Sequence, residues 1–136
     1  MSGVPSEQEA RFYSMPFTRT LGIELVSASP EAVVARLAWS EERCTTAGVM
    51  HGGALMALAD SVGGMCAFAN LPADASGTTT VESKTNFVRA VRSDHVEATS
   101  RPLHVGRTVI VVETELRDAA GKLAAKVTQS QLVLRA

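Results

Sequence analysis

Residues 54–69 read Ala-Leu-Met-Ala-Leu-Ala-Asp-Ser-Val-Gly-Gly-Met-Cys-Ala-Phe-Ala, a small, apolar run whose one charge is Asp60. His51, Gly52 and Gly53 stand directly before it. Ala, Leu and Met are strong helix formers, which predicts a helix from Gly53 onward. The run has no polar stripe, and a helix apolar on every side is normally buried in a core or a membrane. At the usual rise it is roughly 25 Å long. It is short for a membrane span and carries a carboxylate and glycines, so a buried core helix is expected. The rest of the chain then has to wrap around it.

With 136 residues the chain is sized for one domain. Residues 1–20 are polar and mixed and read as an N-terminal extension. A short amphipathic helix is expected at 7–14, ending before Pro16, because a residue that precedes proline avoids the α region. Phe12, Tyr13 and Phe17 are three of the six aromatic residues and are expected to cap one end of the core. From Leu21 the hydrophobic period changes. Strands are expected at 22–27 and 32–39, a hairpin about Ser29-Pro30-Glu31, followed by a loop over 40–49. After the helix, strands are expected at 78–88, at 95–103 bounded by Pro102, at 107–117 as the longest, and at 123–134. In 78–88, alternation places Val81, Ser83, Thr85 and Phe87 on one side and Thr80, Glu82, Lys84 and Asn86 on the other. Asp118-Ala119-Ala120-Gly121 reads as a hairpin turn, and hairpins make the strands antiparallel. The expected fold is α+β: a single domain over 21–136 in which a curved antiparallel sheet of about six strands wraps one long central helix. The far side of that helix still needs cover, which a second subunit would supply.

The formal net charge is −1 and the charges are dispersed, which argues against a nucleic-acid surface. Cys44 and Cys66 pair by no motif, as fits a reducing, cytoplasmic compartment. No basic region followed by an apolar run opens the chain, so no secretory signal is expected. His95, His104 and the cysteines lack metal-ligand spacing, no serine sits in a nucleophile elbow, and there is no phosphate loop. No metal or other cofactor is expected.

His51-Gly52-Gly53 followed by Leu58-Ala59-Asp60 resembles the hotdog-fold thioesterases of the phenylacetate-pathway and 4-hydroxybenzoyl-CoA type. Leu21-Gly22-Ile23, Gly106-Arg107-Thr108 and Gly121-Lys122-Leu123 support the resemblance, which covers nearly the whole chain from Pro16. It implies a sheet wrapped around the helix, two subunits joined edge to edge with two active sites across the interface, and often a further pairing into tetramers. It also implies hydrolysis of an acyl- or aryl-CoA thioester to the free acid and coenzyme A. The resemblance places the catalytic carboxylate at Asp60, as general base on water or as direct nucleophile, and the carbonyl-polarising N–H at Gly52.

The residues fit that chemistry. Asp60 has no Lys or Arg three or four positions away to pair with, and an isolated carboxylate on an apolar helix is a functional candidate. Gly52 and Gly53 offer the open N–H groups and positive dipole end of a helix N-terminus, suited to an oxyanion. A side chain at Gly52 would block the approach of the substrate. Gly52 and Asp60 are eight residues apart, about 12 Å along a helix, so one carbonyl cannot touch both in one subunit. A working site must take one from each of two chains. By the resemblance, His51 borders the site, Thr45 stands where many relatives carry Asn or Gln aimed at the attacking water, and Thr80 stands where some carry a Ser near the carboxylate. Arg107 with Thr108, and then Arg89, are the candidates for the phosphates of coenzyme A, which Arg holds bidentately. Gly63, Gly64 and Met65 are candidates for the floor of an acyl pocket. Two other readings stand beside thioester hydrolysis: an acyl-thioester hydratase or dehydratase using His51 as base, and a non-catalytic acyl-CoA binder.

Overall fold

The computed structural model describes residues 6–136. In chain order it holds α1 (Ser6–Phe12), α2 (Pro16–Leu21), β1 (Glu24–Ala28), β2 (Val33–Ala38), α3 (Gly52–Ala69), β3 (Gly77–Phe87), β4 (His95–Val105), β5 (Val109–Asp118) and β6 (Leu123–Leu134), with two single 3₁₀ turns between β2 and α3. The six strands form one antiparallel sheet in the order β1-β2-β4-β5-β6-β3. The central helix α3 packs on one face of it against β2, β3, β4, β5 and β6. This is the α+β architecture that the strand order and the apolar helix dictate.

The two faces follow from period-two alternation. Val96 and Ala98 of β4, Ile110, Val112 and Leu116 of β5, and Ala125 and Val127 of β6 are buried beneath α3. The opposite face carries ion pairs, Arg36 with Glu97, Arg117 with Glu115 and Lys126 with Glu113. These are largely solvated, so each adds little stability. The helix α3 is apolar enough for a membrane span, yet more than half of it is buried inside the chain. It is not closed all round. Met56 and Asp60 are exposed, and Gly64 and Phe68 are half-buried, so one stripe at four-residue spacing stays open.

Several local expectations change. The N-terminal segment forms two helices rather than one. Pro16 ends the first but also opens α2, where a missing N–H costs nothing. Gly22 closes α2 at φ 80°, a left-handed conformation suited to glycine. These helices dock on the core. Phe12 is fully buried, the Tyr13 hydroxyl accepts the Leu25 N–H at 2.8 Å, and the hydroxyls of Thr18 and Ser61 meet at 2.9 Å. Phe17, grouped with Phe12 and Tyr13 as a core cap, is instead 64% exposed. β4 runs past Pro102 to Val105, because a bulge between Pro102 and His104 absorbs the missing donor. β5 starts at Val109, leaving Arg107 and Thr108 in a turn, and β6 is the longest strand with 12 residues against 10 in β5.

The change that matters most is in β3. A bulge between Thr80 and Glu82 pairs Thr80 with Gln131 and Ser83 with Gln129. One extra residue, Val81, shifts the alternation. Thr80 and Ser83 therefore share the inner face, which strict alternation would keep apart. β3 pairs only with β6 and is a free edge over its full length.

Cys66 lies fully buried on α3 and Cys44 half-buried on the loop, and both are free. Burial pushes the Cys66 thiol up, which suppresses the reactive thiolate. Ellman's reagent is expected to read Cys44 alone in the native protein and Cys66 only after denaturation. Rapid reaction of both thiols in the folded state would contradict the packing.

Candidate active site

The loop before α3 is held by Arg43. Its guanidinium donates to the carbonyls of Leu21 at 2.8 Å and Ala38 at 2.9 Å and to the Ser40 hydroxyl at 3.1 Å. Its own carbonyl accepts the His51 N–H at 2.8 Å, and the Met50 N–H donates to Val91 at 2.8 Å. The Thr45 N–H closes the loop tip onto Val49 at 2.8 Å. His51 is thereby delivered in extended backbone (φ −61°, ψ 134°) as the N-cap of α3.

The His51 ring does the capping. Its Nδ1 accepts the Gly53 N–H at 2.8 Å, so a neutral ring carries its proton on Nε2. That bond occupies the Gly53 N–H and leaves the Gly52 N–H with no partner among the described residues. Gly52 opens into a groove of about 400 Å³ that it shares with Thr45, Val49, Phe87 and Arg89. A Cβ added at Gly52 would come to 3.1 Å from the Phe87 ring, so a side chain there would crowd the groove. His51→Ala is expected to cost about 0.5–2 kcal/mol of folding stability through the lost cap, and His51→Asn to restore most of it. Denaturant unfolding of the three proteins checks this, and equal stability of the Ala and Asn variants would remove the capping role.

Asp60 sits in a different groove, of about 390 Å³, lined with Met15, Phe17, Thr18, Met56, Ser61 and Ser83. It is exposed in the single protomer. Its partner comes from the sheet rather than from its own helix: Gln129 Nε2 donates to Asp60 Oδ1 at 2.9 Å. Sequence reasoning missed this residue. The signal was present, because alternation in β6 puts Gln129 and Gln131 on the core face with Val127 and Val133. The Thr80 hydroxyl accepts from Gln131 Nε2 at 2.7 Å, and it is Ser83, not Thr80, that lines the groove of the carboxylate.

Within one protomer the two grooves have no residue in common. The structure gathers Gly52, Thr45 and Arg89 in one of them and leaves Asp60 to the other. His51 and Gly53 line a third recess with Cys44 and Phe17. Arg107 and Thr108 join none of these. The Arg107 carbonyl accepts from Arg135 at 2.9 Å, and the Thr108 carbonyl accepts the Val133 N–H at 2.9 Å. This is the end of β6 that pairs with Gly77, whereas the groove of Gly52 lies by Phe87 at the other end of β3. Arg135 also grips Asp74 at 2.8 Å and holds that carboxyl below its usual range. No cluster of three His, Cys, Asp or Glu suited to a metal exists among the described residues.

A helix N-terminus with an open N–H, a carboxylate two turns further on, and a sheet wrapped around both define a hotdog-fold thioesterase. The chain belongs to the thioesterase superfamily, whose family model matches residues 47–125. Conserved protein PA5202 of Pseudomonas aeruginosa superposes with a TM-score of 0.81 at 34% identity, covering 88% of this chain and 94% of that one. Thioesterase HI1161 of Haemophilus influenzae superposes with a TM-score of 0.86 at 25% identity, covering 95% and 90%. In Saccharolobus solfataricus, SSO2140, provisionally named an esterase, is 35% identical over 115 residues, 85% of this chain and 81% of that protein.

Proposed function

We propose that this thioesterase cleaves acyl- or aryl-CoA thioesters at a site built from two protomers. The observation that carries the reading is the split between an open Gly52 N–H and an accessible Asp60 carboxylate in two grooves that both border the free edge strand β3. Phe87 lines the first groove and Ser83 the second. Both are two residues from Thr85. A two-fold antiparallel pairing of β3 with a second copy about Thr85 therefore sets Ser83 of one protomer against Phe87 of the partner subunit, and the two half-sites meet. The same pairing covers Val81, Phe87 and Val88, which are 61%, 50% and 61% exposed in one chain. It also removes an eleven-residue open edge, a hazard for a soluble monomer.

In this site the thioester carbonyl accepts the Gly52 N–H, and the developing oxyanion is held at the positive end of α3. Asp60 of the other protomer takes a proton from water as its oxygen attacks the carbonyl carbon. The tetrahedral intermediate collapses, the C–S bond breaks, and coenzyme A leaves as thiolate to regain a proton. Arg89, beside Gly52, is the cation placed to hold phosphate, and Thr45 contributes a hydroxyl at the groove. A Streptococcus pneumoniae protein of this fold has been solved with coenzyme A, at 20% identity, which fits the reading. The hydratase alternative loses support at His51. Its Nδ1 lone pair accepts from Gly53 and its Nε2 carries the proton, so the capped ring has no free base.

Free-thiol release from a panel of aryl- and alkyl-CoA substrates tests the proposal. Release of coenzyme A from saturated acyl-CoA is the expected result. Hydration of an enoyl-CoA without thiol release would transfer the protein to the hydratases, and tight binding with no turnover would make it a binder.

A further inference from the structure

The structure assigns Gln129 as the positioning residue of the site: its side-chain amide spans α3 from Asp60 to Gly63 and sets the direction in which the Asp60 carboxylate points. This rests on the thioesterase reading given above and goes one residue deeper into it.

Four observations carry the assignment. Gln129 is fully buried on the inner face of β6. Its Nε2 donates to Asp60 Oδ1 at 2.9 Å. Its Oε1 is buried without any hydrogen-bond partner. A Cβ added at Gly63 would overlap that same Oε1. Asp60 and Gly63 are three positions apart, neighbours on one helix face, so a single amide reaches both. The amide cannot be reversed, because its oxygen would then face a carboxylate oxygen. Helix interiors disfavour glycine, and Gly63 is explained by the room Gln129 needs. Gly64, the next residue, has open space where a Cβ would stand.

A buried amide with an unsatisfied oxygen lowers stability compared with a well-packed apolar side chain. Such a cost is characteristic of functional sites. What the amide contributes is direction. It holds Oδ1 and leaves Oδ2 for the attacking water.

Gln129→Met keeps the length of the side chain and removes the donor. With an acyl-CoA that the wild type hydrolyses, kcat is expected to fall about ten- to a hundredfold, with KM nearly unchanged. The melting temperature should stay level or rise. Gly63→Ala, which displaces the amide from the opposite side, should reproduce the fall in kcat at a nearly unchanged KM. A purely structural role would show as a lower melting temperature with kcat per folded protomer unchanged. Wild-type kcat in Gln129→Met would overturn the assignment. Asp60→Asn run in parallel separates the two levels of the argument. If it is inactive while Gln129→Met is normal, only the positioning role fails; if it is active, the thioesterase mechanism itself fails.

Discussion

Asp60→Asn is expected to lower kcat by about 10²–10⁴-fold with little change in KM, the loss typical of a removed general base. The substitution is nearly isosteric. The Asn amide oxygen still accepts from Gln129 Nε2, which lies 2.9 Å from Oδ1 in the present arrangement. Asp60 is exposed in the protomer and takes part in no ion pair among the described residues, so the fold should be indifferent to the exchange. A fall in turnover then reports chemistry rather than damage. Steady-state kinetics and a melting curve on the same preparation check both halves. Near-normal turnover by the Asn variant would end the role of Asp60 as base.

Gly52→Pro is expected to lower kcat by at least about 10²–10³-fold, because it deletes the oxyanion donor and its ring crowds Phe87 in the groove. Position 52 is the first residue of α3, where proline is welcome. His51 before it already has the extended backbone that a following proline demands. The helix should therefore survive the loss of the N–H. The decisive experiment mixes this variant with Asp60→Asn after dissociation or by co-expression. Each is inactive alone, but a heterodimer joins the intact Gly52 of one chain to the intact Asp60 of the other. Random two-fold assembly makes half the dimers mixed, each with one good site, so about a quarter of wild-type activity should return. If the mixture is as inactive as its parts, each site lies within a single chain and the split-site geometry is wrong.

Much of this was legible in the residues. The uniform apolarity of 54–69 requires a wrapped helix, the period-two runs after it supply the wrapping sheet, and His51-Gly52-Gly53 with Asp60 carries the resemblance on which the proposed site rests. The 12 Å separation of Gly52 and Asp60 follows from helix rise alone. The faces of β3 were not legible, because one bulged residue, Val81, reverses the alternation on which such readings depend. Pro102 misled for a related reason. Proline forbids one hydrogen bond, and whether the chain stops, restarts or bulges there depends on what packs around it.

By itself, then, the sequence determined the element types and the buried helix, which are properties of composition and periodicity along one stretch of chain, while its family resemblance pointed to Gly52 and Asp60 as the two proposed half-sites. Only the tertiary structure decided that Gln129, 69 residues away, holds Asp60, that Ser83 rather than Thr80 borders it, and that Arg89 joins Gly52 while Arg107 lies at the far end of the sheet. Those pairings are set by strand register and by the closeness of helix to sheet, which arise between distant segments and leave no period in any one of them.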